Sequence, residues 1–340
     1  MIPNILEACG HTNPMIRYAA LHCLGQFSND MPEEFQNAYG ADVIPVATAC
    51  LDDQVPRVQA HACACFTNFI EHATEEMMTP QIEALSQKYC NLLQTGVSMV
   101  KENAATAMAT LVEKVGEAFI PYFTESLQFL IQILNEYHGK EYKQFRGQVI
   151  EAITIICAAV GLETFKPVAN DVIGILQQIQ DSQLDTKDSQ RVYLLSAWQR
   201  ICLLMKGEFA PFLPGILPGI FNMAAMNPEM GVSGSETIQS LTDVLKEVST
   251  AAPKAAGEEE KTLNVVTDEI EEKDIGIQML AIFIDEVGEA CIDYLEQISK
   301  ILLGVVDYSA NDSIRSSAAS SLPGLIKAAK KKGYSQDQIF

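Results

Sequence analysis

The chain has little of what metal, redox or nucleic-acid chemistry requires. Its nine cysteines are odd in number and scattered, with no CxxC pair, and none of its five histidines completes a metal-ligand spacing. Cys9, Cys23, Cys63, Cys65, Cys157 and Cys202 stand among apolar neighbours, the pattern of buried reduced thiols. Aromatic residues make up only 7% of the chain and there is a single Trp. The core must therefore be built from Ala, Leu and Ile, a bias toward helix. Lys and Arg number 23 against 44 acids, a formal charge of −21. Phosphate binding needs clustered bases, so nucleic acid is a poor partner and a basic protein a better one. There is no secretory signal, and no apolar run approaches the length of a membrane span. No nucleophile–base pair, phosphate loop or metal set stands out, so no enzymatic activity, cofactor or metal is expected.

What is present is a repeat. The segments PMIRYAALHCLGQF, PRVQAHACACFTNF, SMVKENAATAMATL, KQFRGQVIEAITII, DSQRVYLLSAWQRI and DSIRSSAASSLPGL align without gaps on Arg17, Gln59, Lys101, Arg146, Arg191 and Arg315. The first five anchors fall 42 to 45 residues apart, and a further copy, KDIGIQMLAIFIDE, centres on Gly276. A repeat of this length with helical periodicity predicts an all-α alpha-solenoid, a superhelix of about seven antiparallel helix pairs, A then B. One residue before each anchor stand Ile16, Val58, Val100, Phe145, Gln190, Ile275 and Ile314, with Gln190 the polar exception. Three and seven residues after the anchors, apolar residues recur; Trp198 falls in the second of these columns and so reads as core.

The A helices carry matching stripes, with Pro45 and Pro121 read as first-turn prolines. Asn13-Pro14, Asp52-Asp53 and Asn311-Asp312 mark A-to-B turns and offer caps. Residues 1–226 read as repeats, the first incomplete; 227–272 as an acidic, Gly/Ser/Thr-rich insertion; 273–332 as further repeats; and 333–340 as a tail. Within the insertion, Glu236–Val248 is a candidate helix of a degenerate pair, and 251–260 reads as a solvated linker. Neither end shows a polar capping repeat, so a piece of a longer superhelix, truncated at both ends, is expected.

Specific stretches go further than the repeat. NPMIRYAALHCLGQFSND (13–30), RVQAHACACFTNFIE (57–71), FIPYF (119–123), AVGLETF (159–165), SAWQRIC (196–202) and DSIRSSAASSLPGLI (312–326) resemble the HEAT repeats of karyopherin-beta (importin-beta) nuclear transport receptors. The resemblance is to the central region of the importin beta-3 subfamily. It implies a shuttling receptor of cytoplasm and nucleus that holds basic cargo such as ribosomal proteins and histones. It also implies cargo release by Ran-GTP, and phenylalanine–glycine nucleoporins docking in slots between A helices.

The ends of the first B helices offer a site. Gln26 and Asn68 stand nine residues after their anchors; Asn29, Glu71 and Glu113 stand twelve after, and Asp30 follows by one. Residues three or four apart share a helix face, so these form a ladder of amides and carboxylates across neighbouring helices. Amides suit a peptide main chain and carboxylates suit lysine ammonium groups. The resemblance implies cargo-signal binding at Asp30, Asn68 and Glu71 in particular. Gln26, Asn29 and Glu113 rest on register alone. Glu269, Glu271 and Glu272 are lesser candidates for contact with Ran or cargo. The bland reading is that such acids are merely solvated. His61 and His72 read as packing or capping groups, and Lys330–Lys332 as a frayed end. The alternative is a HEAT scaffold outside transport, such as a phosphatase regulatory subunit.

Overall fold

The computed structural model describes residues 1–182, 188–226, 256–308 and 311–334. Among the described residues all regular structure is helical. Contacts divide the chain into two compact units, Met1–Arg200 and Ile201–Phe340.

The first unit runs through α1 (Ile2–Ala8), α2 (Pro14–Asp30), α3 (Glu34–Cys50), α4 (Pro56–Glu71), the short α5 (Glu75–Met78), α6 (Ile82–Thr95), α7 (Ser98–Val115), α8 (Ile120–Glu136), α9 (Lys143–Ala159), the short α10 (Leu162–Phe165), α11 (Ala169–Asp181) and α12 (Gln190–Met205), whose last residues belong to the second unit. The B helices pack in series, α2 on α4, α4 on α7 and α7 on α9, while α3, α6 and α8 each pack on the B helix that follows. The periodicity explains this layer. Val58, Val100 and Phe145, then Ala62, Ala104 and Val149, then Phe66, Met108, Ile153 and Trp198 are all buried. Ile16 departs from its column at 39% exposure, because the seven-residue α1 covers little of the first turn of α2.

The polar exception in that column is explained by its partners. Gln190 is buried and bridges two repeats: its Oε1 accepts from Arg146 Nε at 2.8 Å and its Nε2 donates to Asp188 Oδ1 at 3.1 Å. Arg146 also donates to the carbonyls of Leu134 and Tyr137. The anchor residues thus tie the helix ends of adjacent hairpins together. Arg17 does the same, donating to both Asp53 carboxylate oxygens at 2.7 and 2.9 Å and to the carbonyls of His11 and Thr12. Burial alone would raise the Asp53 carboxyl; the Arg17 hydrogen bond and the Val55 N–H outweigh it and leave its pKa below the ordinary carboxylate value. The caps at Asn13 and Asn311 form as the turns imply, Asn13 Oδ1 accepting from Met15 N and Asn311 Oδ1 from Ser313 N.

One A helix differs from expectation. α3 starts at Glu34, so Pro45 lies inside the helix and not in its first turn. An interior proline leaves a carbonyl four residues back without its N–H partner, which an otherwise well-packed helix tolerates. The A helix whose apolar run includes Phe119-Ile120-Pro121 does have its proline in the first turn.

In the second unit a 3₁₀ segment, Lys206–Phe212, leads into α13 (Leu213–Ala224); α14 (Ala256–Glu286) packs on α13 and on α16 (Asp312–Lys331), and α15 (Leu295–Leu303) packs on α16. α14 corrects two readings. Residues 256–260, read as solvated linker, are helical, and the acidic run at 269–274 lies within the same 31-residue helix. The remainder of the expected insertion, including Glu236–Val248, lies outside the described residues. The lysine-rich end is not frayed either: α16 continues to Lys331, Lys331 pairs with Glu289 at 2.5 Å, and Lys332 pairs with Asp293. Gly276 stands where other repeats carry a long polar side chain because α13 and α14 approach closely there. A Cβ would lie 2.7 Å from the Ala224 backbone N. The buried Lys273, one turn earlier, donates to the carbonyls of Ala224 at 3.0 Å and Met226 at 2.6 Å. Finally, the helical run Gln190–Ala224 is long and apolar enough by length and composition to cross a membrane, contrary to the expectation from sequence. A core helix passes the same test, and this run carries Arg191, Arg200, Lys206 and Glu208.

Candidate functional site

The site is built on the C-terminal ends of α2, α4 and α7. Their mutual packing sets the spacing, and Gly25 sets the closest approach. A Cβ on Gly25 would meet Cys65 Cα and Asn68 Nδ2, each at 3.3 Å. Asn68 uses that closeness: its Nδ2 lies 3.4 Å from Gly25 O, a long hydrogen bond across the α2–α4 seam. On α2, Gln26 Nε2 donates to Asp30 Oδ1 at 2.9 Å, holding the carboxylate over the last turn. Asn29, Asp30, Glu71 and Glu113 are all exposed. Gln26, Asp30 and Asn68 therefore gather at one seam, while Glu71 and Glu113 continue the row on the next two helices. Acids at these positions face the negative end of each helix dipole, which disfavours them mildly in isolation.

The amides are less available than their register implied. Each already places one N–H on an acceptor of the chain itself, Asn68 on Gly25 O at the helix seam and Gln26 on the exposed Asp30 carboxylate.

Two cations on the B helices carry no signal in a reading for acids alone. Lys114 on α7 reaches back to α4, its Nζ donating to Glu71 O at 3.0 Å. That bond satisfies a terminal helix carbonyl and leaves the Glu71 carboxylate out of it. Arg200 on α12 reaches to α9: Nη1 donates to Thr154 Oγ1 at 2.7 Å and Nη2 lies 3.9 Å from Glu151 Oε1. Burial lowers the Arg200 pKa from its usual value, and the charges of Glu151 and Glu113 act to raise it. The signal was available in register, since Arg200 stands nine residues after its anchor, as Gln26 and Asn68 do.

About two turns up the same helices lies an aromatic cluster. Tyr18 stacks on His61 at 5.1 Å, His22 meets His61 edge-on at 5.9 Å, and the Arg57 guanidinium sits over the Tyr18 ring at 4.6 Å. Burial, and then the neighbouring His22 and Arg57, push the His61 pKa below its ordinary value. His61 thus packs and His72 sits at the C-terminal cap of α4, as read from sequence. Trp198 is fully buried, with Nε1 donating to Gln180 Oε1 at 2.8 Å.

The lesser acidic group does not form one patch. Glu269, Glu271 and Glu272 all lie on α14, but Glu271 is exposed on one side while Glu269 and Glu272, a turn apart, are half-buried on another. Among the described residues no group of three or more His, Cys, Asp or Glu is placed to hold a metal ion.

Paired helices in series with inter-repeat anchors define an all-α HEAT-type solenoid, and comparison with known proteins agrees. Residues 1–31 match the HEAT repeat model. Residues 47–247, more than half of the chain, match the model described as Importin subunit beta-1-like, TPR repeats. The chain belongs to this importin-beta family. Among curated relatives, it is 26% identical over 336 residues to importin subunit beta-3 of Saccharomyces cerevisiae. It is 26% identical over 329 residues to a probable importin subunit beta-4 of Schizosaccharomyces pombe. These alignments cover 96% and 95% of this chain but only 30% of each relative, so the chain spans about a third of their length. Among solved structures, Kap121p bound to Pho4p superposes with a TM-score of 0.79 at 23% identity, and Kap121p bound to Nup53p with 0.79 at 24%. Those matches cover 96% of this chain and 31% and 30% of Kap121p, and they establish the shared fold.

Proposed function

We propose that this chain is the cargo-holding region of a nuclear transport receptor, and that it binds lysine-rich segments of basic proteins across the ends of α2, α4 and α7. The observation that carries this reading is the row of exposed carboxylates, Asp30, Glu71 and Glu113, on three successive B helices of a chain with net charge −21. Lysine ammonium groups at the spacing of adjacent helices would meet one carboxylate each. The net charge would speed encounter with a basic protein at low salt. Family membership supports the transport role, and the complexes of Kap121p with Pho4p and with Nup53p support cargo and nucleoporin as the classes of partner. On this reading the whole receptor shuttles between cytoplasm and nucleus, carries cargo such as ribosomal proteins and histones, and releases it to Ran-GTP. A groove of about 510 Å³ between α3 and α6, lined in part by Ile44, Pro45 and Lys88, is a slot for phenylalanine–glycine segments.

Calorimetric titration with a lysine-rich peptide at two salt concentrations tests the cargo site. The expected result is binding that weakens as salt rises and falls by about tenfold or more in the Asp30→Lys/Glu71→Lys variant. Unchanged affinity in that variant rejects the site.

A further inference from the structure

Resting on that reading of the carboxylate row, we infer that Tyr18, His22, Arg57 and His61, stacked across the α2–α4 seam, form a second subsite that takes an acidic side chain of the same bound segment. The segment this face selects then carries a carboxylate a few residues from its lysines, and not lysines alone.

The cluster is held by ring faces, which leaves its N–H donors unspent. Tyr18 and His22 stand one turn apart on α2, and Arg57 and His61 one turn apart on α4, so the four meet where those helices pack. Tyr18 and His61 stack with their rings 14° from parallel, His22 meets His61 edge-on, and the Arg57 guanidinium lies over the Tyr18 ring. Among the described residues no hydrogen bond or ion pair engages His22, Arg57 or His61. Arg17, Arg146, Arg200 and Arg315 each donate to a carboxylate, a carbonyl or a hydroxyl of the fold. Arg57 is instead positioned by a cation–π contact that uses none of its five N–H groups. Arg57 and His22 are exposed and His61 is half-buried, so the donors face a ligand and not the core. A fixed guanidinium fork beside imidazole N–H groups fits a carboxylate.

The occupant follows from charge and distance. A chain of net charge −21 repels a free anion, so an anion reaches this cluster when a positively charged segment carries it. The acid row holds such a segment on the same two helices. His22 precedes Asp30 by eight residues on α2, a rise of about 12 Å, and His61 precedes Glu71 by ten on α4, a rise of about 15 Å. An extended chain covers that distance in about four or five residues. A flank of the lysine segment lying along the α2–α4 seam therefore brings an acid four or five positions from its lysine onto Arg57 and the histidines. The two zones of opposite sign read the spacing between lysine and acid, which a row of carboxylates alone cannot do.

Calorimetry on the full chain tests this with lysine-rich peptides that differ at one position, four or five residues from the lysine, where they carry Glu, Gln or Lys. General attraction to an acidic chain predicts that the Lys peptide binds best and the Glu peptide worst. The subsite predicts the reverse, with the Glu peptide binding the wild type about fivefold tighter than the Gln peptide. In Arg57→Gln that advantage falls below about twofold while the Gln peptide binds as before, and in Arg57→Glu the Lys peptide binds best. Thermal melting confirms that each variant is folded. If the Glu peptide has no advantage in the wild type, or keeps it in Arg57→Glu, while Asp30→Lys/Glu71→Lys still weakens binding of the Gln peptide, the cluster only packs and the cargo site stands. If Asp30→Lys/Glu71→Lys leaves the Gln peptide unaffected, the cargo site fails and the subsite that rests on it fails too.

Discussion

Replacing Gly276 by Ala sets two physical effects against each other, and the close approach of α13 and α14 decides the sign. In a helix interior Ala is favoured over Gly by about 1 kcal/mol, so propensity alone predicts stabilisation. The structure predicts the reverse. The new Cβ would lie 2.7 Å from Ala224 N, 3.1 Å from its Cα and 3.2 Å from its Cβ. The shortest of these is about 0.7 Å inside ordinary contact, and the atom it meets is main chain, which cannot rotate away. Overpacking of this kind costs about 3 kcal/mol, which leaves a net loss of about 2 kcal/mol. The Lys273 bonds to Ala224 O and Met226 O stretch along with it. In a solenoid each unit leans only on its neighbours, so the loss stays local. Native-state hydrogen exchange should show amides of α13 and α14 opening about thirtyfold more readily. Gly174 of α11 is the control: a Cβ there meets nothing within 4 Å, so Gly174→Ala should increase protection. Equal or greater protection of α13 and α14 in Gly276→Ala would refute the packing argument.

Further perturbations address the core, the thiols and the histidine cluster. Phe66 is fully buried and edge-on to Tyr89 at 6.5 Å, so Phe66→Ala should cost about 3–5 kcal/mol in chemical denaturation, and a loss under 1 kcal/mol would contradict the assigned core. Burial pushes the Cys65, Cys202 and Cys291 thiols up to about 12, so iodoacetamide at pH 8 should reach the half-exposed Cys23 first. Mass spectrometry should find those three unmodified until denaturant is added. The lowered pKa of His61 means that the unfolded chain binds more protons near its ordinary value, so stability should rise with pH there and be lost as pH falls from about 7 to 5. His61→Asn should flatten that part of the stability profile, and an unchanged slope would place the titration elsewhere.

The repeat was legible because its core columns are one-dimensional: a residue three or seven places after an anchor falls in the core whatever surrounds it. Trp198 and Phe66 were readable in that way. Gln190 was visible as an exception but not as a bridge, because its partners Arg146 and Asp188 lie in different parts of the repeat. Pro45 was misplaced because the first turns of α3, Glu34 to Gly40, carry little apolar periodicity. α14 was cut short because its charged N-terminal half resembles a solvated segment in composition. At the site, register located the acids and amides. A pattern of acids and amides does not mark Lys114 and Arg200, which carry the opposite charge and whose side chains act one helix away from their own backbone.

A charge-swap titration bears most directly on the central claim that this face holds lysine side chains. Wild type and the Asp30→Lys/Glu71→Lys variant would each be titrated with a lysine-rich peptide and with the same peptide carrying glutamate at those positions. The account predicts crossed preferences, the wild type binding the lysine peptide and the variant the glutamate peptide. A variant that still prefers the lysine peptide, at an affinity equal to the wild type, would contradict it.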